Sequence, residues 1–307
     1  NNHAHIIVDS DICTAKWFHL YFINRDITAH LTRQGAKRYK LTKAGLERLP
    51  ILIPPSKEQE KIVKILTTWD KAISTTEQLL TNNQQQKKAL MQQLLTGRKR
   101  FPGFDDKWHK TRLGDIAEMN SGGTPKSTST EYYGGEIPWV SIADMTKQGK
   151  HITCTERNLT KLGLENSSAR KYPKKTILYA MYASIGECSI AEVPLASSQA
   201  ILGIRPKETL DYLYLYFYLS NLKEKIKLQG QQGTQSNLNA GMVKDFILPL
   251  PPIDEQKKIS ELLTIADSEI EIIEKRLGFL RKEKNALMQQ LLTGKRRVNT
   301  EVNKEKN

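Results

Sequence analysis

The sequence predicts an α+β fold in which mixed α/β domains are joined by two long helices forming an antiparallel coiled coil. The first observation behind this is an internal duplication. "PPSKEQEKIVKIL" from Pro54 and "KKALMQQLLTGRKR" from Lys87 return as "PPIDEQKKISELL" from Pro251 and "KNALMQQLLTGKRR" from Lys284, in one register 197 positions apart. A repeat of that period is settled before any local reading, because one structural unit must then occur twice. The second observation is that apolar residues within each copy alternate at spacings of four and three, the heptad seam of paired helices. The third is the block between the copies, whose short apolar runs and turn residues give strand and helix signals in mixture.

In chain order, residues 1–56 come first. "WFHLYF" (Trp17 to Phe22) resembles "YLYLYF" (Tyr212 to Phe217), and "NHAHIIV" stands where the second copy has "SQAILGI". The offset there is 195 to 196, which implies an insertion of one or two residues and matches residue 1 to about Ser197. On that register residues 1–56 are the back half of a domain whose front 97 residues have no counterpart.

Residues 57–100 follow as the first long helix, with a seam of Ile62, Leu66, Trp69, Ile73, Leu80, Leu90 and Leu94. Residues 256–297 form the second, with Ile259, Leu263, Ile270, Ile273, Leu277, Leu287 and Leu291. Prolines precede both helices, and Gly97 and Gly294 close them. Each is a rod of roughly 60 Å that cannot hide its seam alone. The copies therefore pack on each other, antiparallel if a domain connects them; the alternative is that each packs on its own globular domain. Asn83, Lys87 and Lys284 interrupt the seams, and polar seam residues fix register at some loss of stability.

Residues 101–255 form a mixed domain with its own core. "SGGTPKSTST" is a loop, "EIPWVSIADM", "TILYAMYAS", "ECSIAEV" and "AILGIRP" are strands, and "LDYLYLYFYLSNLKEKIKL" is a buried helix. Residues 298–307 are a disordered tail.

The chain of 307 residues is 26% charged, with a mean hydropathy of −0.52. It has no apolar run approaching the roughly 18 residues of a membrane span, and its start lacks both the signal-peptide pattern and an initiator Met. Cys13, Cys154 and Cys188 show no CxxC spacing, which fits a reducing cytoplasm better than a disulfide framework. A net charge of +14 points to a polyanionic partner, nucleic acid ahead of membrane. Residues 101–255 carry only +1, whereas 1–56, 57–100 and 256–307 carry +4, +5 and +4.

Catalytic patterns are missing. There is no [ND]PP[YFW] loop, no Walker A motif, no HExxH and no G-x-S-x-G elbow. Cys188 in "MYASIGECS" reads as a structural cysteine, and the six histidines form no metal pattern. The expectation is a non-catalytic chain without cofactor or metal.

"FPGF…W…LGDI", "SGGTP…EYYGGEIPWVSIAD", "GTQSNLNAGMVKDFILPLPPIDEQKKI" and the two "ALMQQLLTG" helix ends, in this order, resemble the specificity (S) subunits of type I restriction–modification systems. The resemblance covers essentially the whole chain. It implies target-recognition domains that each read half of a bipartite site on double-stranded DNA, and helices that fix the spacing between halves. It also implies docking of methyltransferase (M) subunits on those helices, with ATP-driven restriction (R) subunits joining. The doubled "ALMQQLLTG" then looks like a docking and spacing element. Under this resemblance the candidate DNA contacts are Thr124, Lys126 and Ser127; Tyr182 and Ser184; and Gln232, Thr234, Gln235 and Asn237. Each also fits turn chemistry or capping. Lys174 and Lys175 are phosphate neighbours or a solvated pair. A truncated scaffold that binds M subunits without reading DNA remains open, as does a half-length subunit dimerising on a gapped palindrome.

Overall fold

The computed structural model describes residues 5–23, 25–35, 38–231 and 237–300. Among the helices of the described residues are α1 (Ala15–Ile23), α2 (Lys43–Glu47), α3 (Ser56–Leu94), α4 (Tyr212–Gln231), α5 (Ala240–Lys244) and α6 (Ile253–Leu291). The chain divides into two compact units, one of residues Asn1–Asn82 with Ile270–Asn307 and one of residues Asn83–Glu269.

The two long helices, α3 and α6, have 39 residues each. Proline carbonyls receive the first turn: the Gln59 amide donates to Pro55 and that of Gln256 to Pro252, both at 3.0 Å. Both helices stop by the same device. Gly97 and Gly294 adopt φ of +70° and +72°, a left-handed conformation that glycine takes without penalty. This turns the Lys99 amide back to the Gln93 carbonyl at 3.2 Å and the Arg296 amide back to Gln290 at 3.1 Å.

In the first unit α3 and α6 run antiparallel, as three ion pairs show. Glu58 receives Arg297, Asp70 receives Lys284 and Glu77 receives Arg281, so partners descend α6 as α3 ascends. Hydrogen bonds from Arg297 hold the nearly buried Glu58 carboxyl below its ordinary pKa of 4.5. The core joins Trp17, Leu20 and Tyr21 of α1 to Ile62 and Leu66 of α3 and Met288 and Leu291 of α6. The expected tail needs correction at its start. Val298 packs against this core and its amide donates to Glu58 at 3.2 Å, so the chain is held past the helix end; residues 301–307 lie outside the described residues. The unit's sheet is a hairpin of β1 (Thr32–Gln34) and β2 (Arg38–Lys40).

The second unit repeats these contacts with the helices exchanged. Arg100, past the end of α3, makes a bidentate pair with Glu255 at the start of α6 (3.0 and 2.7 Å), and Lys87 pairs with Asp267. Each is its first-unit counterpart displaced by 197. Gln59 and Gln256, both wholly buried, are a third such pair. Gln59 accepts from the Thr14 amide and donates to the Ile12 and Pro54 carbonyls. Gln256 does the same with Asp211, Thr209 and Pro251. Trp17 donates to the Leu52 carbonyl, as Tyr214 donates to that of Pro249. The expected offset of 195 to 196 in the N-terminal segment is therefore corrected: the register stays at 197 back to residue 12, with no insertion.

Of the seam positions, Ile62, Leu66, Leu94, Ile259, Leu263, Leu277 and Leu291 are buried. Trp69, Ile73, Leu80, Leu90, Ile270, Ile273 and Leu287 are half-buried.

The rest of the second unit is β-rich. Its strands are β3 (His109–Arg112), β4 (Ala117–Ser121), β5 (Tyr133–Val140), β6 (His151–Ile152), β7 (Arg157–Leu159), β8 (Lys171–Tyr172), β9 (Ile177–Ala180), β10 (Cys188–Ala191), β11 (Leu195–Ser197), β12 (Ile201–Pro206) and β13 (Ile247–Leu250). They form sheets in the orders β4-β12-β9-β10-β6, β7-β5-β11-β8 and β13-β3. The five-stranded sheet lays Ile177, Tyr179, Leu202 and Ile204 against Tyr214 and Phe217 of α4, and the same core takes in Leu94, Leu95, Ile259 and Leu263 of the long helices. "EIPWVSIADM" is strand only to Val140. Ser141 caps a helix at Ile142–Gln148 through a reciprocal box with Asp144, which satisfies the donors that end a strand and start a helix.

One asymmetry between the units gives a prediction. Asp267 is held by Lys87 and by Lys150 (2.8 Å), and Lys150 also lies 4.5 Å above the Phe217 ring. Its counterpart Asp70 is paired with Lys284 and its side chain is 50% exposed. Asp267→Ala is expected to cost about 1–3 kcal/mol, since it strips a charged acceptor from two partly buried lysines. Asp70→Ala is expected to cost under about 1 kcal/mol. Denaturant unfolding of both variants checks this, and equal losses would contradict it.

Candidate nucleic-acid interface

Strand order brings separate loops of the second unit to one end of the five-stranded sheet. The Gly122 amide donates to the Ile201 carbonyl at 3.0 Å, Met181 to Ala200 at 2.9 Å and Leu238 to Met181 at 3.1 Å. The segments after β4, after β9, before β12 and before α5 are thereby tied side by side. Thr124, Lys126, Ser127 and Asn237 are exposed there, Tyr182 is 38% exposed and Ser184 is half-buried. Gln232, Thr234 and Gln235 lie outside the described residues.

The loop after β4 is rigidly seated. Gly123 donates to the Ser197 carbonyl at 2.9 Å, its own carbonyl accepts from the buried Trp139 indole at 2.9 Å, and Tyr133 donates its hydroxyl to Pro125 at 2.8 Å. The two glycines allow close approach: a Cβ on Gly122 would lie 2.3 Å from the Ser197 carbonyl oxygen, and one on Gly123 2.2 Å from the Ala169 nitrogen. Across the sheet end, Ala183 between Tyr182 and Ser184 has a φ of +60°. Such strain in a non-glycine residue concentrates at functional loops.

Lys174 and Lys175 are not brought to this end. They precede β9, where the Lys175 amide donates to Ala191 at the far end of β10 (2.7 Å). Lys174 pairs with Glu192 at 3.3 Å and Lys175 lies 5.3 Å above the Tyr212 ring. Sequence reading missed Arg170, an exposed cation 3.4 Å from the Asn120 side chain. It reaches this end because Ser168 and Ala169 pack on Gly123. No local pattern announces that contact, which joins residues more than forty positions apart.

Burial pushes the Cys188 thiol far above its ordinary pKa, which suppresses the thiolate a nucleophile needs. Among the described residues no three His, Cys, Asp or Glu side chains gather as a metal site, and no helix is long and apolar enough to cross a membrane. The sheet end is instead a surface of hydroxyl, amide, phenol and ammonium groups on a fixed backbone, which is what hydrogen bonding to base edges requires.

Residues 1–83 and 105–280 match the family described as type I restriction modification DNA specificity domain. The chain is 34% identical over 178 residues to the type I restriction enzyme MjaIX specificity subunit of Methanocaldococcus jannaschii, covering 57% of this chain and 41% of that protein. It is 27% identical to the putative MjaX specificity subunit of the same organism over 91% of this chain and 67% of that one. Among solved structures, the HsdS subunit of Thermoanaerobacter tengcongensis superposes with a TM-score of 0.54 at 19% identity, over 92% of this chain and 71% of that one. The S subunit from M. genitalium gives 0.58 at 17% identity, over 86% and 68%. The chain thus spans about two-fifths to two-thirds of the length of these two curated relatives, and the structures share its fold. By the extent of the family match, the chain belongs to the type I restriction–modification DNA specificity domain family.

Proposed function

We propose that the chain is a non-catalytic, cytoplasmic DNA-recognition subunit that directs methyltransferase and ATP-dependent endonuclease subunits to a bipartite site on double-stranded DNA. On this reading residues 101–255 are a target-recognition domain and residues 1–56 the back half of another. Residues 57–100 and 256–297 are the spacing and docking helices. The observation that carries the reading is the repetition of whole contact sets at an offset of 197: Arg297–Glu58 with Arg100–Glu255, and Lys284–Asp70 with Lys87–Asp267. Two equivalent helix ends are what two copies of one partner subunit require. The polar loops gathered at one sheet end support base reading, with Thr124, Lys126, Ser127, Tyr182, Ser184 and Asn237 as contacts.

The test is a methylation map of host DNA after co-expression with the cognate methyltransferase subunit. A gapped motif with two different halves supports reading by both units. A gapped palindrome means that two chains read together through residues 101–255, a half-length subunit acting as a dimer. No new methylation overturns the reading in favour of a scaffold that docks methyltransferase subunits without reading DNA.

A further inference from the structure

The two units diverge within a segment whose register is pinned on both sides. Upstream, the Thr14 and Asp211 amides donate to Gln59 and Gln256, 197 residues apart. Downstream, Thr42 caps α2 through the Gly45 amide, and Asn239 caps α5 through that of Met242, again in register. The residues between correspond one for one. "TRQGAKRYKL" (32–41) therefore stands in the first unit where "QGQQGTQSNL" (229–238) stands in the second. The first stretch carries four cations, Arg33, Lys37, Arg38 and Lys40, and no anion; the second carries no charge.

The backbone differs at the start of the stretch, where β1 stands at the register of the last residues of α4. In the first unit the stretch is the β1–β2 ribbon, with Thr32 opposite Lys40, Arg33 opposite Tyr39 and Gln34 opposite Arg38. Gly35 has a φ of +69° with nothing near its Cβ position. Strand alternation puts Arg33 and Tyr39 on one face and Lys40 on the other. Arg33, Tyr39 and Lys40 are exposed, Tyr39 at 58%, and Lys40 has no ion pair among the described residues.

We propose that this ribbon is a phosphate-binding site for duplex DNA. It would supply sequence-independent affinity from the first unit, while the uncharged sequence at the same register in the second unit leaves base reading to amide and hydroxyl groups. Cations on both faces suit a two-stranded ribbon, which is narrow enough to enter a major groove between two phosphate backbones. Arginine and lysine there position the duplex without reading it. The inference rests on the functional reading above.

The experiment measures binding of the full chain, assembled with its methyltransferase subunits, to a short duplex of random sequence over a range of KCl concentrations. Each lost phosphate contact lowers the slope of log K against log salt by about 0.9. The triple variant R33Q/R38Q/K40Q is therefore expected to be shallower by about 2–3, so that between 50 and 200 mM KCl the parent loses about 40-fold more affinity than the variant. The charge-keeping variant R33K/R38K/K40R should restore the parental slope, which a merely structural role for these side chains would not do. Lys16→Gln with Lys43→Gln and Arg48→Gln, all exposed in the first unit outside the ribbon, should leave the slope in place. An unchanged slope in the ribbon variant, or an equal fall in this second variant, overturns the proposal. A parent that binds no duplex overturns the functional reading itself.

Discussion

Gln256→Ala is expected to destabilise the second unit by about 3–5 kcal/mol, among the largest single-residue losses in the chain. The side chain is fully buried and serves three backbone groups at once, accepting from Asp211 and donating to Thr209 and Pro251. Alanine leaves all three without it; exposed Thr209 can turn to water, while the half-buried Asp211 amide and the buried Pro251 carbonyl each cost about 1–3 kcal/mol. Gln59→Ala deletes the same set in the first unit, but there the Pro54 carbonyl belongs to a half-buried residue and water can replace more of what is lost. Its cost is expected to be about 1–2 kcal/mol. Hydrogen exchange at the Asp211 and Thr14 amides, together with denaturant unfolding, separates the two. Equal losses in the two variants would show that the duplicated contacts do not differ in burial as the structure has them.

These glutamines also explain what the sequence made legible. The duplication and the long helices are visible because a heptad period survives over 39 residues and its punctuation, two prolines before and a glycine after, recurs in both copies. The register of residues 1–56 was not legible from similarity alone. Tyr212, Tyr214, Tyr216 and Tyr218 alternate along α4, so a slip of two residues still sets aromatic on aromatic. The three-way hydrogen bonding of Gln59 and Gln256, with the bonds from Trp17 to Leu52 and from Tyr214 to Pro249, distinguishes 197 from 195, and these are contacts across more than thirty residues.

The site divides the same way. The turn chemistry of "SGGTP" and the exposure of Thr124, Lys126 and Ser127 belong to local sequence. Strand order does not, and it carries Lys174 and Lys175 to the far end of the sheet while bringing Arg170 near. Ser141 lies between these cases. Its capping box with Asp144 is written in "SIAD", but the preceding apolar run reads as one continuous strand.

Gly123→Ala is expected to lower sequence-selective binding by at least about tenfold while leaving salt-dependent binding to random duplex in place. Gly123 does not need a left-handed backbone; it needs room. A Cβ would lie 2.2 Å from the Ala169 nitrogen and 2.3 Å from the Ser168 carbonyl carbon, both backbone atoms that no rotamer change can move. The loop must shift instead, which strains its bonds to Ser197 and Trp139 and displaces Thr124, Lys126 and Ser127. Overpacking of this kind costs about 1–3 kcal/mol in stability. Each mispositioned base contact forfeits about 1–3 kcal/mol of discrimination, so selectivity falls by at least about tenfold. Gly278→Ala is the counter-case, because its Cβ meets nothing within 4 Å and the residue is exposed in the interior of α6. It is expected to stabilise the helix by up to about 1 kcal/mol and to leave selectivity unchanged. Competition between cognate and random duplexes, with unfolding curves for both variants, decides the matter. A Gly123→Ala chain that still discriminates would move base reading away from the β4 loop.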